Sequence, residues 1–470
     1  MNMISKGEEV HPLGEGDFSF PTAGGRVRLS VTSDALTPYG GLVPWAAFTK
    51  HLGIVEQLAG DCPVTRTSPN AAPVYDVLQS FMLTALTDGR RFSHVERLRE
   101  DPTIPELFGM EAVVSDDTVR RLFEEVDPVG GAEWVARHAK PMWGALPDQI
   151  IMDWDSTVQP KYGHQDGAKV GYNPGKPGRR SFHPLLGVVA RTRLCPAYRF
   201  RSGDTVTATQ WQEAMEDAQR WLGERQVWLN RGDLGLGQDP VMTWHEAVAG
   251  RPYYLFKLKL TSKVREALHQ VPEADWQGPS KVEGWQVAEG SLQLTGWRQP
   301  RRVVFARCLQ GVVPSEKSGE FWDQNKHEFA VYVTSLPLKE YNAWQIQQLY
   351  RDRADTENVF DELKNQWGFS GFCAKARATT EVAARLLLMV YNLWVLFVRF
   401  IVPHKHTEAK RGRRWFLLIA GRLVQSGRQK ELQISIRGGW AEQLRAGYVR
   451  LHEWIRTTAP QLKPVVPLPA

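Results

Sequence analysis

The segment Asp148-Gln-Ile-Ile-Met-Asp-Trp-Asp-Ser-Thr-Val158 decides how the middle of the chain is interpreted. Its alternating pattern predicts a strand in which Asp153, Asp155 and Thr157 share one face. Burying a carboxylate without compensation costs far more free energy than strand propensity contributes, so such residues normally hold a metal ion, a proton or an ion pair. The segment therefore predicts a strand with a functional or ion-paired acidic face.

The pattern downstream of this strand is typical of an α/β sheet. Strands are predicted at 185–192, 197–201, 226–230 and 252–260, and an amphipathic helix is predicted over 206–222. Residues from about 265 to 335 are predicted to be mostly β and to form an inserted subdomain, because they interrupt the alternation of strands and helices.

A second acid follows one of the predicted strands. Asp233 lies in Arg231-Gly-Asp233, directly after the strand at 226–230. Open α/β sheets place their ligands at the carboxyl ends of strands. Asp233 is therefore a candidate site residue.

A long helix predicted over about 339–366 carries four chemically different groups on one stripe. Tyr350, Arg353, Glu357 and Lys364 fall within about 60° of one another at about 100° per residue. Either Glu357 binds a divalent ion while the cations bind phosphate oxygens, or the stripe is a solvated face with ion pairs such as Arg353 with Glu357.

Carboxylates that hold two divalent ions would activate water and stabilise the leaving oxygen in phosphodiester chemistry. The candidate set is Asp155, Asp233 and Glu357. Asp153 and Asp361 are further acids that could assist or replace a member of this set. Such a reaction requires a polyanionic substrate.

The charge distribution agrees with a polyanionic substrate. The chain has 58 basic and 52 acidic residues, for a net charge of +6. Residues 1–150 hold 13 basic and 21 acidic residues, whereas residues 151–470 hold 45 and 31. Between Pro160 and Arg201, nine basic residues accompany the single acid Asp166. This density predicts a nucleic-acid surface with strong salt dependence.

The predicted DNA contacts in this basic segment are Lys169, Lys176, Arg179 and Arg180. A further pair, Arg120 and Arg121, lies on a helix predicted to begin after the N-cap Ser115. That helix resembles the second helix of a helix-turn-helix, and a capped surface helix in a small bundle explains it equally well.

Composition excludes several other classes of protein. Hydrophobic residues make up 42% and charged residues 23%, which excludes a wholly disordered chain. The four cysteines lie too far apart for a structural zinc site. The apolar run 382–402 contains Arg385, Asn392 and Arg399, so it predicts a buried helix rather than a membrane span. We expect a cytoplasmic protein with reduced thiols.

The sequence resembles the bacterial insertion-sequence DDE transposases, and among them the family numbered thirteen-eighty, which carries the YREK signature. The matching residues are Asp155-Ser-Thr, the run from Gly171 to Leu185, Arg231-Gly-Asp233 and the Y-x2-R-x3-E-x6-K helix. The resemblance spans about residues 40–460.

The resemblance implies an RNase H-like catalytic core, interrupted by a mostly β insertion, in an α/β protein with an N-terminal helical DNA-binding module and a C-terminal helical basic region. It assigns the metal triad to Asp155, Asp233 and Glu357, and phosphate contacts to Tyr350, Arg353 and Lys364. A base-stacking tryptophan in the insertion would be Trp285, Trp297 or Trp322.

The expected divisions are a flexible lead (1–35), a helical end-recognition domain (36–145), the first segment of the RNase H-like core (146–260), the β-rich insertion (261–336), the second segment of the core (337–402) and the basic C-terminal region (403–470).

The implied activity is that of a transposase that binds the inverted repeats of its element as a homodimer on double-stranded DNA. Two Mg²⁺ ions, for which Mn²⁺ substitutes, would serve cleavage and joining of the 3′-OH ends to target DNA. The implied location is the bacterial cytoplasm, at the nucleoid. The alternatives are a catalytically silent DNA-binding derivative and an RNase H-like nuclease without strand transfer.

Overall fold

The computed structural model describes residues 19–278, 284–309, 327–427, 429–457 and 462. In chain order, the strands in these residues are β1 (Ser19–Thr22), β2 (Gly25–Arg28), β3 (Leu36–Thr37), β4 (Gln149–Ser156), β5 (Gln159–Pro160), β6 (Lys169–Val170), β7 (Arg180–Phe182), β8 (Leu185–Val189), β9 (Ala197–Arg199), β10 (Gln226–Gly232), β11 (Tyr253–Lys257), β12 (Trp285–Leu292), β13 (Arg301–Leu309), β14 (His327–Thr334), β15 (Gly421–Ser426) and β16 (Gln429–Ile434).

The α-helices are α1 (Leu42–Leu52), α2 (Ile54–Gly60), α3 (Val74–Leu86), α4 (Glu96–Arg99), α5 (Thr103–Phe108), α6 (Asp116–Glu125), α7 (Pro128–Trp143), α8 (Trp211–Leu222), α9 (Asp239–Glu246), α10 (Ser262–His269), α11 (Ala343–Arg351), α12 (Ala354–Gln366), α13 (Arg377–Ile401), α14 (Ala409–Gly412) and α15 (Ala441–Thr457). Single 3₁₀ turns lie at Phe92–Val95 and Glu273–Asp275, and a π-helical turn lies at Arg413–Leu417.

A large mixed sheet forms the centre of this α/β protein. Its strand order is β12-β13-β14-β11-β10-β4-β8-β9. The neighbours β4, β10 and β11 are parallel, and β8, β9 and β14 join them in antiparallel fashion. Alternation along β4 directs Trp154 towards Trp211 of α8, whereas Asp153 faces α12, where it contacts Thr356. The acidic face predicted for β4 therefore lies between the sheet and α12.

The β-rich segment after β11 continues the central sheet. β14 pairs with β11, β13 with β14, and β12 with β13, all antiparallel. The described residues of the segment expected as an insertion are thus joined edge to edge with the strands that carry the acids.

Helix α13 lies at the centre of the helical region of the protein. It packs against α3, α6, α7 and α15, so helices from both ends of the chain share one hydrophobic core with the sheet. By length and composition α13 could cross a membrane, but 83% of its most apolar window is buried inside the protein. The polar group of Asn392 is satisfied by the backbone of Cys195. The prediction of a buried helix is confirmed.

Two secondary-structure predictions are wrong. The helix expected over about 339–366 is interrupted at Asp352 and Arg353, and the Arg353 side chain at this break contacts the backbone of β4. The C-terminal region expected to be helical contains the hairpin β15–β16, which turns at Gly427 with a φ of 59° and pairs with β3. Glycine adopts this left-handed conformation without steric cost.

Candidate active site

Asp155 and Asp233 lie at the same edge of the central sheet. β4 and β10 are parallel neighbours, and their register pairs Asp153 with Arg231 and Trp154 with Gly232. The next residue along β4 is Asp155, and the next residue after the end of β10 is Asp233. The two acids expected to share a site are therefore brought together by adjacent strand ends.

The environment of Asp155 favours its protonated form. Burial, followed by the negative charge of Asp233, raises its pKa to about 6, against the opposing effect of the Arg353 guanidinium. The Ser156 N–H donates to Asp155 Oδ1 at 2.7 Å, and the Gly235 N–H donates to Asp233 Oδ1 at 2.9 Å. A cation placed between the two carboxylates would relieve both the burial cost and their mutual repulsion.

Arg353 is buried beside Asp155. Its Nη2 lies 3.2 Å from Asp155 Oδ2 and donates to the Trp154 carbonyl at 2.9 Å. Among the described residues, no acceptor lies within hydrogen-bond distance of its Nε. Arg353 therefore holds Asp155 in place against the end of β4.

Tyr350 lies in the same buried region. Its ring packs on Tyr332 with centroids 4.6 Å apart, and burial raises its pKa to about 12. The structure thus brings Tyr350 and Arg353 together next to the two aspartates.

Asp153 has a structural role that is distinct from that of Asp155. It accepts from Arg231 Nε at 2.6 Å and Nη2 at 2.8 Å, and from Thr356 Oγ1 at 2.9 Å. Arg231 also donates to the Leu349 carbonyl. Because both oxygens of Asp153 are used, this pair fixes α11 and α12 on the sheet, and Asp153 has no oxygen left to serve as the principal ligand of an ion.

Glu357 occupies an exposed position one turn after Arg353 on α12. Lys364 lies two turns further along; burial lowers its pKa, and the nearby charge of Asp155 partly offsets this effect. Asp361 is exposed and accepts from Asn365 at 2.6 Å. Within the described ranges, no three acidic, histidine or cysteine side chains are close enough together to hold a metal ion. The structure thus assembles two members of the predicted triad and leaves Glu357 on the adjoining helix face.

The nine basic residues of 160–201 divide into three kinds. Those that are buried within the fold are Lys161, Arg193 and Arg201. Those that pair with carboxylates are Lys169 with Asp204 at 3.1 Å, Arg191 with Asp352 at 3.6 Å and Arg199 with Asp217 at 3.0 Å. Those that are exposed without a carboxylate within 4 Å, among the residues that the structure describes, are Lys176, Arg179 and Arg180, here named the loop cations.

Two of the three loop cations lie beside an exposed aromatic side chain. Lys176 Nζ and Arg179 Cζ lie 4.6 and 4.9 Å from the ring centroid of Tyr162, which is 68% exposed. Cations over an aromatic face are oriented as well as charged. This loop is the best candidate for a phosphate-binding surface in the segment.

The other predicted DNA contacts are less available. Ser115 caps α6 as expected, accepting from the Thr118 N–H at 3.3 Å. Arg120 on α6 pairs with Asp116 at 3.1 Å and also with Asp117. Arg121 is exposed. Because α6 packs on α3 and α13, the helix is an integral element of the core bundle.

The tryptophans proposed for base stacking differ in environment. Trp285 is buried, and the Arg351 guanidinium lies 5.4 Å from its ring. Trp297 is half-buried beside Arg301, whose guanidinium lies 5.2 Å from its ring. Trp322 lies outside the described residues.

Arg201 is a positioning residue that the sequence presented only as one more cation. It is 1% exposed and donates to the carbonyls of His183, Val206, Thr207 and Thr209. This shapes the loop before α8, in which the Thr207 hydroxyl lies 3.0 Å from that of Ser156, next to Asp155. Nothing in the local sequence separates Arg201 from its exposed neighbours.

The fold and these side chains define an α/β protein with a paired-aspartate site at the carboxyl edge of a large mixed sheet. The chain belongs to the family described as transposase DDE domain group 1, whose model matches residues 21–455. It is therefore a transposase of the DDE class.

Several chains of solved structures match this chain, and the similarity to one of them, a transposase complex, is weak. A piggyBac transposase synaptic complex with hairpin DNA, determined by cryo-electron microscopy, has 10% identity and a TM-score of 0.41, covering 89% of this chain and 83% of that chain. A TM-score this low does not establish a shared fold, so the assignment rests on the family model. No curated protein matches the chain.

Proposed function

We propose that this transposase binds the terminal inverted repeats of its own element, cleaves the DNA at each end and joins the 3′-OH ends to target DNA. The observation that carries the proposal is the meeting of Asp155 and Asp233 at adjacent ends of the parallel strands β4 and β10. We also assign the chain to the insertion-sequence family numbered thirteen-eighty, on the spacing of its YREK residues.

The catalytic core in this proposal is RNase H-like. The strand order β9-β8-β4-β10-β11 supports it, with the first three strands antiparallel and the last two parallel to β4. In such a sheet, the carboxyl ends of the parallel strands meet at one edge, and that edge holds both aspartates.

The donor set at this edge fits a divalent cation such as Mg²⁺. Asp155 and Asp233 supply hard carboxylate oxygens, and the raised pKa of Asp155 reflects burial and a neighbouring negative charge that a cation would offset. These two residues would hold the ion, with Glu357 as the third ligand. When bound, such ions polarise the phosphate and lower the pKa of a water nucleophile.

The chain's own residues would orient the DNA end. Arg353 fixes Asp155 through its Nη2 and, with Tyr350 beside it, would place positive charge next to the two aspartates, where a phosphate oxygen would lie. Lys364 lies close enough to Asp155 to feel its charge, so it would contribute a second positive group beside the scissile phosphate.

The DNA partner would be held mainly by unpaired surface charge. The loop cations, with Tyr162 between them, are the first such surface, whereas Lys169 and Arg120 are already neutralised by nearby aspartates. A substrate with two ends implies a homodimer on DNA, and a bacterial chromosomal target implies a cytoplasmic location at the nucleoid.

The decisive experiment is a cleavage and strand-transfer assay with duplexes that contain the inverted repeats flanking the coding sequence. In Mg²⁺ we expect the wild-type chain to cleave and join. We expect Asp155→Asn, Asp233→Asn and Glu357→Gln to lose cleavage but to retain binding in Ca²⁺, and the matched control Asp361→Asn to remain active.

Each of the other outcomes would indicate a different activity or a different third ligand. Cleavage without joining would indicate a nuclease, and binding without cleavage by the wild-type chain would indicate a silent DNA-binding derivative. Cleavage by Glu357→Gln together with inactivity of Asp361→Asn would move the third ligand to Asp361.

A further inference from the structure

A second group of exposed cations lies on α14 and the π-helical turn that follows it. This C-terminal basic cluster consists of Lys410, Arg411 and Arg414. Among the described residues, no carboxylate lies within 4 Å of these three side chains. Two other C-terminal cations are neutralised, since Arg422 pairs with Asp34 at 3.0 Å and Lys430 pairs with Glu106.

The backbone that carries the cluster is anchored from inside. Arg413 is buried and donates to the carbonyls of Leu86 at 2.6 Å, Gln366 at 2.6 Å and Ala85 at 2.9 Å. Its guanidinium also lies 4.4 Å from the ring of Trp367. Because Arg413 is hydrogen-bonded to α3 and α12, its exposed neighbours Arg411 and Arg414 lie on a rigid turn.

One cation of the cluster is itself oriented. The guanidinium of Arg411 lies 3.6 Å from the centre of the Trp415 ring, and Trp415 packs edge-to-face on Trp440 at 4.3 Å. Stacking of this kind holds the charge over the aromatic face and leaves the N–H groups at the guanidinium edge free to bind phosphate.

The position of the cluster relative to the active site is set by α12. The backbone N–H of Lys410 donates to Gln366, the last residue of α12, at 2.8 Å. Arg353, which contacts Asp155, is the residue before the first turn of the same helix. Thirteen residues of α-helix span about 20 Å.

We propose that the C-terminal basic cluster binds the phosphate backbone of the duplex of the transposon end, at a position within the duplex rather than at the cleaved bond. This inference rests on the proposed function, because it takes the end of the duplex to lie at Asp155 and Asp233. Exposed cations without carboxylate partners, held on a rigid turn that contacts the last residue of α12, suit a contact with phosphate charge rather than with base sequence.

The test compares two alanine variants of the full-length chain for binding to a 30-base-pair transposon-end duplex in Ca²⁺. One variant replaces Lys410, Arg411 and Arg414, and the control replaces Arg422 and Lys430. Each lost phosphate contact lowers the slope of log affinity against log salt concentration by about 0.9. We therefore expect a slope reduced by about 3 for the cluster variant, and the wild-type slope for the control.

Hydroxyl-radical footprinting of the same complexes locates the contact. The cluster variant should lose one stretch of backbone protection within the duplex and retain protection at the cleaved end itself. A wild-type slope and footprint in a correctly folded cluster variant, with an unchanged melting temperature, would overturn the inference. Equal loss of affinity for single-stranded DNA would also overturn it.

Failure of the proposed function would be seen separately. In that case the wild-type chain would not cleave the duplex in Mg²⁺, whatever the salt dependence of binding. Failure of this inference alone would appear as an unchanged slope and footprint for the cluster variant of a chain that does cleave.

Discussion

Replacing Asp155 with asparagine is expected to stabilise the protein in the absence of metal and DNA. Asparagine has nearly the shape of the protonated aspartic acid, and the structure favours the protonated form, since burial and the charge of Asp233 raise the pKa of Asp155 to about 6 from 3.8. The attraction to Arg353 is already included in this net shift.

Proton linkage gives the direction in which Asp155 changes the free energy of unfolding with pH. The folded state binds the Asp155 proton more tightly than the unfolded state, so the associated stability is present below about pH 4 and is lost as pH rises towards and through the folded-state pKa of about 6. The loss amounts to about 1.5 kcal/mol at pH 5 and about 3 kcal/mol at pH 8. The asparagine variant does not ionise and therefore avoids this loss.

The assay is chemical denaturation of the wild-type chain and the variant in EDTA at pH 5 and pH 8. The advantage of Asp155→Asn should grow between the two pH values by about 1.5 kcal/mol. Asp361→Asn, which alters an exposed carboxylate, should stay within about 0.5 kcal/mol of wild type at both. If Asp155→Asn is less stable than wild type at pH 8, Asp155 serves the fold as an ionised partner of Arg353, and the reasoning is refuted.

Three further predictions concern neighbouring groups. Asp153→Asn should destabilise the protein by about 3–5 kcal/mol in the same denaturation assay, because it leaves the buried Arg231 without its counter-ion; a change below about 1 kcal/mol would contradict the structural role of this pair. Alanine in place of all three loop cations should reduce the slope of log DNA affinity against log salt concentration by about 3. Lys169→Ala should leave this slope nearly unchanged, because Lys169 is paired with Asp204. Equal slopes for both variants would show that carboxylate pairing does not decide which cations bind DNA. Arg353→Lys should lower the rate of cleavage at saturating DNA more than it weakens DNA binding in Ca²⁺, since lysine lacks the rigid planar group that contacts Asp155 and the Trp154 carbonyl together. A variant with the wild-type rate would exclude Arg353 from positioning Asp155.

The features of the site that could be predicted from the sequence depend on local geometry. Asp155 and Asp233 each lie near the end of a strand with a clear apolar pattern, and parallel neighbouring strands bring such ends together. Likewise, Asn392 and two arginines within an apolar run argue against a lipid environment, and α13 is buried in the protein.

The features of the site that could not be predicted depend on which helices and strands pack against one another. Asp153 and Asp155 are both aspartates on the same face of β4. The pairing register of β4 with β10, which the sequence does not reveal, is what places Arg231 opposite Asp153. The buried contact of Arg353 depends on a carbonyl of Trp154, nearly 200 residues away along the chain. A count of charges also treats the buried residues Arg193 and Arg413 as surface cations, because their partners are carboxylates and carbonyls far away along the chain.

The measurement that tests the central claim most directly is Mn²⁺ binding, followed by electron paramagnetic resonance, in the presence of transposon-end duplex. Wild-type protein should immobilise Mn²⁺, and Asp155→Asn and Asp233→Asn should each lose that bound ion while Asp361→Asn keeps it. Equal Mn²⁺ binding by all four proteins would contradict the assignment of Asp155 and Asp233 as the residues that hold the metal.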